Sequence, residues 1–466
     1  MREKETNRQE NHEKNERECL QYKNQKKNPG FLLSAVSSNS GKTAAACGLM
    51  SAFKQEGKRV CACKCGPDYI DPMFHREVLG VDSKNLDLFF SGEDILKEGY
   101  LKHTKDADIT ITEGVMGLYD GMSLDSVKGS SYDVAQTLGL PVILVINARG
   151  AAMTLVATVK GIVEFRPDSN IRGILLNRVS AMLYPRLKEM LENELARIGH
   201  DEIKIVGYMP ENEAFHLESR HLGLVTPQEM ENLQEKVRQA GEILTKTVDL
   251  ELLEKIAGEA AVWKAEVSEE SEKIGSLKSL NYPVRIAVAR DEAFCFYYKD
   301  NLELLESLGC EVIEFSPLHD EKLPDNISGL IFGGGYPELY GKQLSENQSM
   351  LTSIRKALMQ EKIPCLAECG GFMYLHEEMK DADGNVWKLV GRIHGKTFPT
   401  GKLVRFGYVN LQRNLDEDQV SELKERMSIA NSWILPGENI RAHEFHYWDS
   451  TDSGSDCLAV KPDGKR

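Results

Sequence analysis

The chain has 466 residues, of which 41% are hydrophobic and 7% aromatic, and its formal net charge is −15. A chain of this length can hold two or three domains with well-buried cores. The acidic balance argues against a nucleic-acid partner, and the longest apolar runs are strand-sized, which argues against a membrane span.

Residues 1–28 are predicted to form a disordered tail, because charged residues and asparagine leave no apolar segment to bury. Their composition is not that of a signal peptide, and a targeting or interaction role is the alternative. The ten cysteines follow no secreted framework, so we predict a reducing, cytoplasmic location. Cys61, Cys63 and Cys65 alternate along one predicted strand and are interpreted as small buried hydrophobes rather than metal ligands.

Strands and helices alternate along residues 29–226. Strands are predicted at 31–36, 59–64, 108–112, 141–147, 171–177 and 203–209, with a helix at 43–55. This alternation predicts a parallel sheet with helices on both faces. A polar segment at 227–281 is interpreted as a linker that contains a helical hairpin.

The alternation restarts over residues 282–450. Strands are predicted at 284–289, 311–314, 329–332 and 363–367, and helices at 302–308 and 350–360. The predicted fold class is therefore α/β, with two parallel-sheet domains. Residues 451–466 are predicted to be a weakly structured tail.

The first predicted strand leads into a phosphate-binding loop, Ser37-Ser38-Asn39-Ser40-Gly41-Lys42-Thr43. Backbone N–H groups and the start of the following helix can surround phosphates, Lys42 can neutralise their charge, and the Thr43 hydroxyl can reach Mg²⁺. The match is imperfect, because Val36 stands where the usual first glycine would be. The nucleotide-binding residues are predicted to be Asn39, Ser40, Gly41, Lys42 and Thr43.

Two acidic segments follow the next predicted strands, residues 66–72 and 111–121. Ligands of open α/β sheets bind beyond the carboxyl ends of the strands, and Mg²⁺ prefers oxygen ligands. Asp68, Asp71 and Glu113 are therefore candidates for a magnesium site. The alternative is that the aspartates cap helices or close turns, and Asp120 before Gly121 is the clearest such case.

A cysteine and two glycines follow the last predicted strand, in the run Glu368-Cys369-Gly370-Gly371. A strand, a sharp turn and a helix are typical of a nucleophile elbow, and the helix start is expected to lower the thiol pKa. The run Gly333-Gly334-Gly335 follows another strand and is expected to offer N–H groups to an oxyanion. His443 and His446 are the candidate bases, and their spacing alone does not choose between them.

These segments resemble the cobyrinate a,c-diamide synthase family, the glutamine-dependent amidases of corrinoid biosynthesis. The resemblance covers about residues 31–448. It is carried by the phosphate-binding loop and by the segments 66–75, 113–121, 220–224, 291–294, 333–339, 367–371 and 443–446. It implies a P-loop domain like dethiobiotin synthetase, acting as an ATP-binding amide ligase, and a class I-like glutamine amidotransferase domain.

The resemblance also implies roles for single residues. Cys369 would be the nucleophile and His446 its base, and the oxyanion hole would contain Gly334, Gly335 and Gly370. Thr43, Asp68 and Glu113 would hold Mg²⁺, and Asp71 would face the substrate carboxylate. Trp448 stands two residues after His446, where ordinary triad enzymes have a glutamate, so a dyad with a less firmly oriented imidazole is expected. Residues 391–396 match the family's pattern only loosely.

The activity implied is ATP- and Mg²⁺-dependent amidation of the a- and c-acetates of cobyrinate, with ammonia from glutamine. The two sites should face each other, or a homodimer partner should close the path of ammonia. Sister enzymes that act on hydrogenobyrinate or nickel sirohydrochlorin are the nearest alternatives. A partitioning-type ATPase switch is the alternative from another class, and it would leave the Cys369 domain unused.

Overall fold

The computed structural model describes residues 28–217, 227–261, 284–414 and 438–462. The predicted N-terminal tail, apart from Asn28, and the segment 220–224 lie outside the described residues. None of the described helices is long and apolar enough to cross a bilayer.

A seven-stranded parallel sheet forms the first domain, in the strand order β3-β2-β4-β1-β5-β6-β7. Its strands are β1 (Gly30–Ala35), β2 (Val60–Cys65), β3 (Ser83–Leu86), β4 (Ile109–Glu113), β5 (Val142–Asn147), β6 (Ile171–Asn177) and β7 (Lys204–Met209). The connecting helices are α1 (Lys42–Gln55), α2 (Ile70–Glu77), α3 (Leu88–Thr104), α4 (Ser131–Leu138), α5 (Met153–Phe165) and α6 (Tyr184–Arg197). The predicted fold class is confirmed for this domain.

Two buried apolar clusters cover the two faces of this sheet, because its central strands are apolar on both sides. The alternating cysteines of β2 are buried, and the sequence interpretation of them as small hydrophobes is confirmed. Because all the strands are parallel, their carboxyl ends meet at one edge, where the phosphate-binding loop and both acidic segments lie.

The helical hairpin expected within residues 227–281 is present at 227–261, but it packs on the core of the first domain and does not form a separate linker. Its helices are α7 (Pro227–Thr247) and α8 (Leu250–Ala257). Leu244 of α7 and Leu253 of α8 are fully buried in the core of the first domain. A Cβ atom on Gly48 of α1 would lie 2.7 Å from Leu244 Cδ1, so α7 packs closely on α1. The apolar faces of these helices join the first core, although the segment is polar on average.

A four-stranded parallel sheet forms the second domain, in the strand order β11-β10-β8-β9. Its strands are β8 (Val284–Ala289), β9 (Cys310–Phe315), β10 (Gly329–Phe332) and β11 (Cys365–Ala367), with helices α9 (Lys299–Ser307), α10 (Gly341–Glu346), α11 (Gln348–Arg355) and α12 (Gly370–Tyr374). A 3-10 turn at Pro337–Leu339 and a π-helical turn at Lys356–Gln360 complete it.

Two smaller sheets complete the second half of the chain. One contains β12 (His376–Lys380), β13 (Val386–Lys388), β14 (Ile393–Pro399) and β17 (Trp448–Ser450), and the other β15 (Arg405–Arg413), β16 (Asn439–His446) and β18 (Cys457–Val460). Strand β18 lies in the segment expected to be a weakly structured tail, but it pairs with β15 in an antiparallel ladder. Pairing with a distant strand orders this segment, and its local sequence carries no signal of that.

Candidate active site

The phosphate-binding loop lies between β1 and the start of α1. The first residue of the helix is Lys42, and Gly41 before it has a φ of 95° and offers no side-chain cap. A Cβ atom on Gly41 would lie 2.3 Å from Asn177 Nδ2, which donates to Ser40 O at 2.9 Å. Asn39 adopts a left-handed conformation with a φ of 61°. The first N–H groups of α1 are therefore left for a ligand.

Lys42 lies inside this loop. Its Nζ donates to Ser37 O at 3.0 Å and to Met116 O, which follows β4. Burial, and then the nearby charge of Lys64, lower the pKa of Lys42 to about 8. A polyphosphate bound in the loop would place negative charge beside this ammonium.

An acidic cluster of Asp68, Asp71 and Glu113 lies beside the loop, and the Lys64 ammonium lies within it. Lys64 Nζ is 2.5 Å from Asp71 Oδ2, 3.0 Å from Glu113 Oε1 and 3.9 Å from Asp68 Oδ2. The sequence analysis did not identify Lys64 as a site residue, although a lysine within a strand of buried cysteines could have indicated a buried charge there.

The charges of the acidic cluster are set by Lys64 and by burial. Burial lowers the pKa of Lys64, but Asp71, Glu113 and Asp68 outweigh it, so the net shift is upwards. Burial likewise opposes ionisation of Glu113, but Lys64, His75 and Thr43 lower its pKa overall. Burial, and then Glu113, raise the pKa of Asp71. Of Glu113 and Asp71, Glu113 is therefore the one that stays ionised, and Asp71 holds a proton more readily.

Asp68 and Asp120 close turns of their own segments. Asp68 Oδ1 accepts hydrogen bonds from Ile70 N at 2.8 Å and Asp71 N at 3.3 Å, which caps the start of α2. Asp120 Oδ2 accepts from Gly117 N at 2.8 Å. In this structure both aspartates therefore cap a helix or close a turn, as the alternative interpretation expected. The metal role of Asp68 stays a prediction.

The oxygen atoms of Thr43 and Glu113 could hold Mg²⁺. Thr43 Oγ1 donates to Glu113 Oε1 at 2.6 Å, so the two atoms already converge where the loop meets β4. Glu113 Oε2 is buried and has no hydrogen-bond partner among the described residues, although His75 Nε2 lies 3.3 Å from it. Mg²⁺ commonly takes one or two carboxylates and fills its shell with water and phosphate oxygens, which suits this pair.

Cys369 lies on a strained turn between β11 and α12. Its φ of 49° and ψ of −109° are unusual for a residue with a side chain, and a Cβ atom on Gly371 would lie 2.3 Å from Phe332 O. A Cβ atom on Gly334 would lie 3.4 Å from Cys369 Cβ. The backbone N–H groups of Gly370 and Gly335 both reach the thiol. The three predicted oxyanion residues therefore surround Cys369.

The thiol of Cys369 is not activated in the way the sequence suggested. Although the residue as a whole is solvent-exposed, desolvation by the surrounding protein, and then the charge of Glu338, raise its pKa to about 11. The N–H groups of Gly370 and Gly335 lower this pKa but do not outweigh those effects. Burial also raises the pKa of Glu338, to about 7. A base must therefore take the thiol proton near neutral pH.

The two candidate bases make different contacts. His446 Nδ1 lies 2.7 Å from Trp448 O, and a carbonyl can only accept, so Nδ1 carries the proton and Nε2 is left as the basic atom. The Trp448 carbonyl thus orients this ring in place of a glutamate. No described hydrogen bond joins His446 to Cys369, and their pairing stays a prediction.

His443 belongs to the contact between the domains. Its Nε2 lies 2.8 Å from the hydroxyl of Tyr298, which donates to Pro67 O at 3.1 Å. That hydroxyl has one proton, so it accepts from His443, whose Nε2 is then occupied.

Aromatic side chains join the two sites. Tyr69, between Asp68 and Asp71, stacks on Tyr298 at 4.3 Å and on Phe296 at 5.3 Å between ring centroids. Phe296 N donates to Gly334 O at 3.1 Å, next to Cys369. We call Tyr69, Phe296, Tyr298 and His443 the aromatic contact. The aromatic contact therefore links the segment of Asp68 and Asp71 to the glycines beside Cys369.

Two domain families match this chain. Residues 31–225 match the CobQ/CobB/MinD/ParA nucleotide binding domain, and residues 285–463 match the CobB/CobQ-like glutamine amidotransferase domain. Together with the two sites, these matches define a glutamine-hydrolysing amide ligase with a nucleotide-binding domain.

The relatives of this chain include proteins named cobyrinate a,c-diamide synthase. The protein of Caldanaerobacter subterraneus is 39% identical over 90% of this chain and 86% of its own length. Those of Clostridium tetani and Clostridium acetobutylicum are each 40% identical over 89% of this chain and 86% of their own lengths. The chain belongs to the cobyrinate a,c-diamide synthase family. Membership of this amide-ligase family excludes the partitioning-type switch.

Replacing Glu338 by glutamine should speed alkylation of Cys369 by iodoacetamide. Loss of the neighbouring negative charge lowers the thiol pKa, so the thiolate fraction at pH 8 and the alkylation rate should rise about three- to tenfold. The measurement is peptide mass spectrometry of the Cys369 adduct against time. Glu321→Gln, at an exposed site of the same domain, should leave the rate unchanged, and an equal rate in Glu338→Gln would contradict the effect.

Proposed function

We propose that this chain amidates the a- and c-acetate carboxylates of cobyrinate in cobalamin biosynthesis, with ATP and with ammonia released from glutamine. The observation that carries the proposal is the position of the acidic cluster. It lies beside the phosphate-binding loop and is joined to the Cys369 site by the aromatic contact. A carboxylate bound there could receive a phosphoryl group from one side and ammonia from the other.

The glutaminase reaction begins with transfer of the Cys369 proton to His446. The thiolate attacks the glutamine amide carbon, and the N–H groups of Gly334, Gly335 and Gly370 stabilise the oxyanion. The imidazolium returns its proton to the leaving nitrogen, ammonia departs, and water then releases glutamate from the thioester.

At the first domain, a substrate carboxylate oxygen attacks the γ-phosphorus of ATP, and ADP leaves. Lys42 offsets the charge of the transferring phosphoryl group. Ammonia then attacks the acyl carbon, the C–O bond to phosphate breaks, and a proton is lost to give the amide. Lys64 and Asp71 face the substrate end, and the second carboxylate is amidated in a second round.

Magnesium would bind at Thr43 and Glu113, with Asp68 as a further candidate, and would neutralise phosphate charge when bound. The aromatic contact joins the two sites within one chain, so released ammonia would move from one site to the other beside it, protected from protonation in bulk water. The cytoplasm is the proposed location, and a homodimer is the proposed assembly.

The test presents purified protein with ATP, Mg²⁺, glutamine and, in parallel, cobyrinate, hydrogenobyrinate or nickel sirohydrochlorin. We expect the diamide of cobyrinate to form fastest, as measured by mass spectrometry. Cobyrinate labelled with ¹⁸O in its carboxylates should transfer one ¹⁸O to phosphate for each amide formed. Phosphate without label would refute the acyl-phosphate route, and preference for another tetrapyrrole would reassign the substrate.

His446→Ala should lower glutamate release by about 10²- to 10⁴-fold, the usual contribution of a general base. His443→Ala should stay within roughly tenfold, because its Nε2 serves Tyr298. Amidation driven by added ammonium chloride should survive in both variants, which makes it the internal control. A reversed ranking in a glutamate-release assay would reassign the base to His443.

A further inference from the structure

The hydroxyl of Tyr297 lies at the point where strands β8 and β10 stop pairing. The last paired residues of these strands are Ala289 and Phe332. Directly beyond them, the Tyr297 hydroxyl accepts a hydrogen bond from Gly333 N at 2.9 Å and donates one to Ala289 O. It thus lies between two backbone groups at the point where the ladder stops. The glycine run, Gly333 to Gly335, can therefore leave the sheet here while these two backbone groups keep hydrogen-bond partners.

The Gly333 peptide is held on both sides. Its N–H donates to Tyr297, and its carbonyl accepts from Gly371 N, in the elbow, at 2.9 Å. A Cβ atom on Gly333 would lie 2.6 Å from the Tyr297 ring, so the ring leaves no room for a side chain at position 333. The next two residues, Gly334 and Gly335, are predicted members of the oxyanion hole.

The residues around Tyr297 hold the rest of the glycine run. Phe296 N donates to Gly334 O at 3.1 Å, and Tyr336 N donates to Ala293 O at 3.0 Å. Burial raises the pKa of Tyr297, so its hydroxyl stays protonated and keeps both of its hydrogen bonds near neutral pH. The direction of the Gly335 N–H towards the thiol is therefore fixed from outside the glycine run.

We propose that Tyr297 is a positioning residue of the glutaminase reaction, whose hydroxyl holds the glycine run so that Gly335 and Gly370 can bind the oxyanion. The proposal rests on the proposed function only in that Cys369 attacks glutamine. Because an oxyanion exists only after attack, a misplaced N–H group weakens the transition state more than it weakens glutamine binding.

The test compares Tyr297→Phe with Tyr374→Phe. The Tyr374 hydroxyl is buried in the same domain and has no hydrogen-bond partner among the described residues. Loss of one oxyanion donor costs about 10²- to 10³-fold, and a displaced donor costs less. We expect the kcat for glutamate release to fall about tenfold in Tyr297→Phe, with the KM for glutamine within about twofold, and Tyr374→Phe to match the wild type.

Two reagents separate positioning from general damage. A γ-aldehyde analogue of glutamine forms a tetrahedral adduct with the thiol, and its affinity should fall about as much as kcat in Tyr297→Phe. Iodoacetamide forms no oxyanion, so its rate at Cys369 should not change.

A kcat within twofold of wild type, an equal loss in Tyr374→Phe, or a parallel loss of iodoacetamide reactivity would each overturn the proposal. Ammonia-driven amidation should be unaffected by Tyr297→Phe. If the wild type showed no ammonia-driven amidation, the proposed ligase reaction would be refuted. Glutamate release and the affinity for the aldehyde would still test the positioning role of Tyr297.

Discussion

Cys369→Ser should abolish amidation driven by glutamine and leave amidation driven by high free ammonia within about twofold of the wild type. In the proposed reaction the thiolate serves only to release ammonia, and a serine hydroxyl at the same turn is far less acidic and a weaker nucleophile. The phosphate-binding loop and the acidic cluster, which act on the carboxylate in the proposed reaction, keep their residues in this variant.

The measurement is amide formation by mass spectrometry, with ¹⁵N-labelled glutamine or ¹⁵N-labelled ammonium as the nitrogen source. Cys457→Ser, which removes another exposed thiol, is the matched control and should keep both activities. If Cys369→Ser loses both activities to the same extent, the assignment of the two half-reactions to separate sites is wrong.

Lys42→Ala should lower amidation by about three orders of magnitude with either nitrogen source, the scale on which a cation accelerates phosphoryl transfer. Lys42 is the first residue of α1, and its ammonium lies inside the phosphate-binding loop. Without it, the negative charge that develops on the transferring group meets no neighbouring cation from the loop.

Ammonia-driven amide formation at saturating ATP measures this effect without involving Cys369. Lys160→Ala, at an exposed position of α5, is the matched control and should behave like the wild type. Glutamate release in Lys42→Ala would show whether the two sites influence one another. Near-normal ammonia-driven turnover would remove the phosphate-loop assignment.

Much of the fold was predictable, because the strands of the first sheet are continuous apolar runs that follow polar turns. Strands β6, β8 and β10 have the predicted bounds. Strand β3 was missed because Ser-Lys-Asn-Leu carries no apolar pattern. The hairpin of α7 and α8 was placed in a linker because its average composition is polar, whereas its buried stripe joins the first core.

The candidate site was predictable where its chemistry is local. The strand, the small-residue loop and the Lys42-Thr43 pair follow one another directly, and so do β11, Cys369 and its glycines. The expected fall in the Cys369 pKa is wrong, because burial and Glu338 outweigh the local N–H groups. The side chain of Glu338 lies in another loop, and sequence spacing says nothing about its distance from the thiol.

The sequence alone determined which segment forms the predicted phosphate-binding loop and which presents the Cys369 thiol on a turn, since each motif is a strand, a turn and a helix start within about ten residues. Tertiary structure alone decided which groups surround them. Lys64 reaches Glu113 across 49 residues, Tyr297 holds Gly333 across 36, and Tyr298 contacts Pro67 across 231. Such contacts depend on how strands and domains pack, and no local pattern of residues encodes that arrangement.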